Sequence, residues 1–114
     1  MSREWVLKTL VGLGLSQVEA EIYLFLSQTG PVKGRDIAEM LKLYKQQLYR
    51  SLKSLKCKGC VEATLGRPAR FSAVPLEKVL DLFMKTKMEQ AEDLKASRDK
   101  LLSSWRSIIK MNSK

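Results

Sequence analysis

Three observations predict a mainly α (α+β) fold, in which short helices and one β-hairpin precede a long terminal helix. Apolar residues recur at helical spacing through residues 2–60, the period changes to two across residues 61–74, and neither Gly nor Pro interrupts residues 76–111. A chain of 114 residues can bury one modest core and little more. Residues 1–75 are therefore expected to form one domain and residues 76–114 an extension of it.

The first helix is expected over residues 2–11, where Trp5, Val6, Leu7, Leu10 and Val11 follow a capping Ser2 and Gly12 and Gly14 stop the run. Gly12-Leu13-Gly14 is a turn rather than a phosphate loop, since no strand precedes it and no Gly-Lys-Ser/Thr follows. Ser16-Gln17-Val18-Glu19 then reads as a capping box. The serine hydroxyl accepts from the Glu19 amide and the glutamate reaches back to the serine amide, which starts a second helix. Val18, Ile22, Phe25 and Leu26 give that helix its apolar face, Tyr23 falls near the edge, and Gly30-Pro31 ends it. A third helix over residues 34–41 turns Ile37, Met40 and Leu41 inward.

The stretch over residues 42–60, KLYKQQLYRSLKSLKCKGC, holds the next helix, expected over about residues 44–58, with Leu43-Tyr44 as the connection into it. Leu48, Leu52 and Leu55 lie on one stripe at i, i+4 and i+7, which leaves Gln46, Arg50, Lys53 and Cys57 on the opposite side. Lys42, Lys45, Arg50, Lys53, Lys56 and Lys58 have no Asp or Glu among them, so intrahelical ion pairs cannot neutralise the stretch and an anion is expected to supply the balance. A plain solvated surface helix is the competing reading. Residues 34–58 make a helix-turn-helix. Gly59 can take positive φ beyond it. Residues 61–65 alternate, Gly66-Arg67-Pro68 turns, and residues 70–74 alternate back as a hairpin. This element order is that of a winged helix-turn-helix with a β-hairpin wing.

From Pro75 onward Leu, Lys, Glu, Met and Ala sustain a helix on the order of 50 Å long at 1.5 Å per residue, more than so small a domain can cover. Leu80, Leu94, Leu101 and Ile108 fall in one heptad position, and Met84, Ala91 and Trp105 in its companion, with Lys87 and Arg98 interrupting the seam. An imperfect two-stranded coiled coil joining a homodimer is expected, antiparallel or short in register. The competing reading folds the helix back onto its own domain.

With these landmarks the sequence resembles the amino-terminal domain of the TrmB family of archaeal transcriptional regulators. The resemblance runs through Leu13-Gly14-Leu15-Ser16, Glu19-Ala20, Tyr23, Gly30, Ile37-Ala38, Leu48-Tyr49, Leu52, Leu55, Gly59 and Gly66-Arg67-Pro68 to Ala73-Val74-Pro75. It departs at Tyr44, where proline is frequent, at Lys33-Gly34, where a small hydroxyl residue is usual, and at Cys60, an apolar leucine position. The resemblance implies a winged helix that binds duplex DNA, usually as a homodimer. Longer family members carry a sugar-binding carboxy-terminal domain, for which 114 residues leave no room. No small-molecule effector is therefore carried over.

Composition narrows the function classes. A net charge of +9 favours polyanions, and no apolar run approaches the roughly 20 residues of a membrane span. The first residues lack a signal peptide's apolar core, so a cytoplasmic, nucleoid-associated protein is expected. Acids and bases are interspersed along residues 78–110 and not gathered onto one basic face, unlike a membrane-surface helix. Cys57-Lys58-Gly59-Cys60 lacks the further cysteine or histidine that a zinc site needs, and Cys57 at a helix carboxy terminus is poorly placed for a reactive thiolate. Both cysteines are assigned to packing, Cys60 buried and Cys57 half exposed. Histidine is absent and no acid–base constellation is visible, so neither an enzyme nor a bound cofactor is expected.

Residue type and position assign the nucleic-acid roles. Tyr44, Lys45, Gln46, Gln47 and Arg50 occupy the half of the recognition helix, residues 44–58, that enters a major groove. Gln46 suits adenine and Arg50 guanine, while Lys53 lies toward phosphate. Lys33 and the amides at Gly34-Arg35 can hold a phosphate, and Arg67 and Arg70 place the wing on the adjacent minor groove or backbone. Tyr49, at the stripe's edge, is assigned to the core, and Met40, Met84 and Met88 to core or seam. An architectural DNA-coating protein, or a protein-interaction winged helix with an acidic partner, would share the same fold and charge.

Overall fold

The computed structural model describes residues 2–112; Met1 and residues 113–114, the outer ends of the two expected segments, lie outside the described residues. Helix α1 (Arg3–Leu13) begins where Ser2 Oγ accepts from the Trp5 amide, and it closes at Gly14, whose φ is 124°. It therefore runs through Gly12, which was expected to stop it. A glycine inside a helix costs about 1 kcal/mol and breaks nothing by itself. Helix α2 (Gln17–Thr29) carries the capping box in full, with Glu19 N donating to Ser16 Oγ at 3.1 Å and Ser16 N to Glu19 Oε1 at 2.7 Å.

Strand β1 (Val32–Lys33) follows, then helices α3 (Gly34–Leu41) and α4 (Lys45–Cys57), strands β2 (Val61–Ala63) and β3 (Arg70–Ala73), and α5 (Leu76–Asn112). The wing is thus a three-stranded antiparallel sheet in the order β1-β3-β2, one strand more than the hairpin expected. Two residues are too few to show alternation, so β1 becomes visible only through its pairing of Val32 with Phe71 and Lys33 with Arg70. The strand expected over residues 61–65 ends at Ala63, and Leu65 stands fully exposed in the loop beyond it.

Leu7, Leu10, Leu15, Ile22, Leu26, Ile37, Leu48, Leu52, Leu55, Val61, Phe71 and Val79 are buried together in the first of two units, Met1–Leu80. Each fully buried aliphatic side chain contributes about 1.5–3 kcal/mol, so the leucine stripe of α4 is a main anchor of the helix-turn-helix. Tyr23, expected near an edge, lies inside this core and its hydroxyl donates to Val74 O at 2.6 Å, linking α2 to the end of the wing. Burial raises the pKa of its phenol. Met40, expected to point inward, is 67% exposed, because α3 buries the stripe of Gly34 and Ile37 instead.

The second unit, Asp81–Lys114, is the remainder of α5. Met84, Met88, Leu94, Leu101, Trp105 and Ile108 are all exposed on it. Among the described residues, no helix is long and apolar enough to cross a membrane.

Candidate nucleic-acid interface

The geometry of α4 is set by the turn before it. Lys42 takes φ 56°, Leu43 N donates to Ala38 O at 3.0 Å, and Tyr44 enters extended so that Leu48 N reaches Tyr44 O at 2.9 Å. With Leu48, Leu52 and Leu55 buried, Gln46, Arg50, Lys53 and Cys57 are presented outward, four exposed side chains at i, i+4, i+7 and i+11. Lys45 is exposed and Tyr44, at the cap, is 84% exposed. Gln47 stands apart. It is half-buried toward α2, in a recess with Ser16, Val18 and Ser51 that Arg50 also borders, on the flank of the outward face.

No side chain of Tyr44 or Lys33 caps α4 or α3, so the first amides of both helices have no N-cap side-chain acceptor. Unpaired amides at a helix start, with the positive end of the dipole behind them, favour an anion. Asp36 in the first turn of α3 opposes this on one side, whereas the first turn of α4 carries no acid. Gly34 is buried under α4: a Cβ there would meet Tyr49 Oη at 2.7 Å. Tyr49, assigned to the core from its place at the stripe's edge, is therefore not a core residue. It is 45% exposed and lays its hydroxyl over the first residue of α3.

Beside Tyr49 opens a groove of about 520 Å³ between Lys33, Gly34 and Arg35 on one side and Pro68 and Phe71 of the wing on the other. It brings together the start of α3, the middle of α4 and the wing. Lys33 and Arg70 are directly opposed across β1 and β3. Like charges in direct cross-strand register repel, which an anion between or beside them would relieve. Arg35 is exposed and reaches Glu39 at 3.7 Å, an exposed pair of little energetic weight. Arg67 is exposed in the wing loop, whose base is clamped by Thr64 Oγ1 accepting from Arg70 N at 2.9 Å.

The basic stretch is not uniform. Lys58 Nζ donates to Glu19 Oε1 at 2.8 Å and to Gly14 O at 3.0 Å, so an acid on α2, and not an external anion, balances this lysine. The separation of 39 residues hid this pair from a reading that looked for intrahelical partners. Burial raises the Glu19 pKa, but hydrogen bonds from Lys58, Ser54 and the Ser16 amide, with the charge of Lys58, outweigh it and hold the carboxyl below its ordinary value. Among the described residues, no acid lies in ion-pair range of Lys42, Lys45, Arg50, Lys53 or Lys56.

Cys60 is buried and Cys57 exposed, both as free thiols. Burial raises the pKa of the Cys60 thiol, which keeps it protonated and unreactive. Among the described residues, no cluster of three or more His, Cys, Asp or Glu is placed to hold a metal ion.

The family model described as "Sugar-specific transcriptional regulator TrmB" matches residues 10–77, more than half of the chain. No curated protein matches the sequence. Among solved structures, the chain is similar to TrmBL2, an archaeal chromatin protein with a novel mode of DNA binding, at a TM-score of 0.79 and 22% identity. That alignment covers 100% of this chain and 45% of TrmBL2, so the chain spans less than half of its length. It is also similar to the ST1889 protein of the thermoacidophilic archaeon Sulfolobus tokodaii, with TM-score 0.59, 24% identity, and coverage of 70% and 86% of the two chains. The transcriptional regulator Tm0710 of Thermotoga maritima aligns at TM-score 0.56 and 19% identity, covering 94% of this chain and 85% of its own. At these identities the likeness establishes a shared winged-helix fold.

Proposed function

From a chain that belongs to the TrmB family of transcriptional regulators, we infer a sequence-specific regulator that binds double-stranded DNA as a homodimer. Residues 1–75 read DNA and residues 76–114 dimerise in this reading, in the cytoplasm on the nucleoid. The observation that carries it is the outward face of α4, where an amide and two cations, Gln46, Arg50 and Lys53, are exposed and without acidic partners above a buried leucine stripe.

A helix presented in this way fits a major groove. Gln46 pairs with adenine, Arg50 bidentately with guanine, and Lys53 with phosphate. Tyr44 and Lys45 flank the entry, and Gln47 borders the contact on the side toward α2. Lys33, Gly34 and Arg35 hold a phosphate at the start of α3, and Arg67 and Arg70 take the wing to the adjacent minor groove or backbone. The homodimer uses the exposed seam of Leu94, Leu101 and Ile108 with Met84, Ala91 and Trp105, begun by Leu80. No cofactor or small-molecule effector enters the mechanism.

An architectural DNA-coating role is the second reading, favoured by the likeness to TrmBL2, a chromatin protein. It relies on the lysines and arginines and leaves Gln46 and Arg50 without a special role. Footprinting on genomic fragments separates the two: a short palindrome with half-sites about one helical turn apart supports the regulator, and uniform protection supports the architectural protein. Sedimentation at micromolar concentration tests the homodimer, which a monomer would contradict.

A further inference from the structure

Residues 81–112 of α5 make about four and a half heptads, long enough to hold a coiled coil, and their apolar seam is exposed. Two cations stand in that seam, Lys87 in the position of Leu94, Leu101 and Ile108, and Arg98 in the position of Met84, Ala91 and Trp105. Their neighbours across a helix pair decide which pairing is tolerable. In a parallel homodimer every seam residue meets its own copy, so Lys87 faces Lys87 and Arg98 faces Arg98. The flanking positions offer no relief, because Lys95 would then face Gln90.

We propose that α5 pairs with a second copy of itself antiparallel, with Met84 opposite the partner's Ile108 and Ala91 opposite the partner's Leu101. This rests on the homodimer inferred above and specifies its direction and register. In the same register Lys87 lies against the partner's Trp105, where an ammonium can sit on the indole face, and Arg98 lays its apolar stem along the partner's Leu94. A shift of one heptad in one direction would set Lys87 against the partner's Arg98. A shift in the other would set Lys87 against the partner's Asn112 and away from Trp105.

Charge along the helix points the same way and does not depend on seam assignment. Residues 81–93 carry Asp81, Glu89, Glu92 and Asp93 against Lys85 and Lys87, a net −2. Residues 99–111 carry Lys100, Arg106 and Lys110 against Asp99, a net +2. The proposed register lays each of these segments along the other. Parallel pairing would lay acidic on acidic and basic on basic, a like-charge alignment that disfavours the wrong partner orientation.

Cross-linking reads the direction. In a Cys57→Ser background, Met84→Cys and Ile108→Cys are made singly and together, and each protein is first shown to sediment as the wild type does. Under mild oxidation, each single variant is expected to stay un-cross-linked on a non-reducing gel. Co-expressed single variants, and the double variant, are expected to give a covalent dimer. Ala91→Cys with Leu101→Cys repeats the test at a second layer should the first pair disturb folding. Efficient self-cross-linking of a single variant means parallel pairing and overturns the proposal. A dimer that cross-links in neither arrangement overturns the register. A wild-type protein that sediments as a monomer instead removes the homodimer itself, a separate failure.

Discussion

Replacing Lys58 by Met should destabilise the winged-helix unit while sparing the DNA interface, against what its place in a basic run would suggest. The Glu19 side chain is only 6% exposed, and Lys58 Nζ lies 2.8 Å from its carboxylate. Removing one member of a fully buried pair costs about 3–5 kcal/mol, because the other charge is left behind. Here Lys58 is 34% exposed and Glu19 keeps the Ser16 amide at 2.7 Å, so solvent screening and the remaining bond reduce the loss to about 2 kcal/mol. On a domain of this size that corresponds to a fall in Tm of about 8–16 °C. Glu19→Gln should cost about 1 kcal/mol, since the amide oxygen can still accept from Ser16 and the freed lysine can turn to water.

Acid titration of stability separates the two variants further. The folded pKa of Glu19 is lowered, so its contribution is present above the unfolded value of about 4.3 and is lost as pH falls through the folded value. Glu19→Gln should remove that acid-limb dependence. Denaturant unfolding followed by circular dichroism, at pH 7 and along an acid series, measures both. If Lys58→Met stays within about 0.5 kcal/mol of the wild type, the pair is surface decoration and the reasoning fails.

Two further predictions follow from the same core. Tyr23→Phe removes the hydroxyl that donates to Val74 O and should cost about 1 kcal/mol, read as a lower denaturation midpoint with an unchanged slope; no change would mean that water replaces the bond fully. Cys60→Ser puts a hydroxyl into a buried site and should lower Tm, whereas Cys57→Ser on the exposed face should leave stability unchanged; equal effects would contradict the assigned burial.

Local signals in the sequence account for most of the fold. Ser16 and Glu19 act within one turn, and Leu48, Leu52 and Leu55 repeat within one helix, so period and spacing reveal them. What was hidden is non-local or too short. Strand β1 has only two residues and exists through its pairing with β3, and Lys58 finds Glu19 across 39 positions. Met40 was expected inward and lies outward because a helix of eight residues allows more than one inward stripe.

The site divides in the same way. The outward set of Gln46, Arg50 and Lys53 follows from helical phase alone, and the structure places all three in the open. The opposition of Lys33 and Arg70, and Tyr49 lying over Gly34, require a sheet register and a helix packing that no pattern in residues 33–70 encodes locally.

The central claim is that α4 reads bases and does more than attract phosphate. Titration of Arg50→Ala and Lys53→Ala, on a site selected from random oligonucleotides and on random duplex, tests it most directly. Arg50→Ala should lose about 1–3 kcal/mol on the selected site, far less on random duplex, and relax preference at one base position. Lys53→Ala should weaken both alike and reduce the slope of log K against log salt by about one unit. Selection that yields no motif, with the two variants behaving alike, would contradict the claim and leave a protein that coats DNA through its charge.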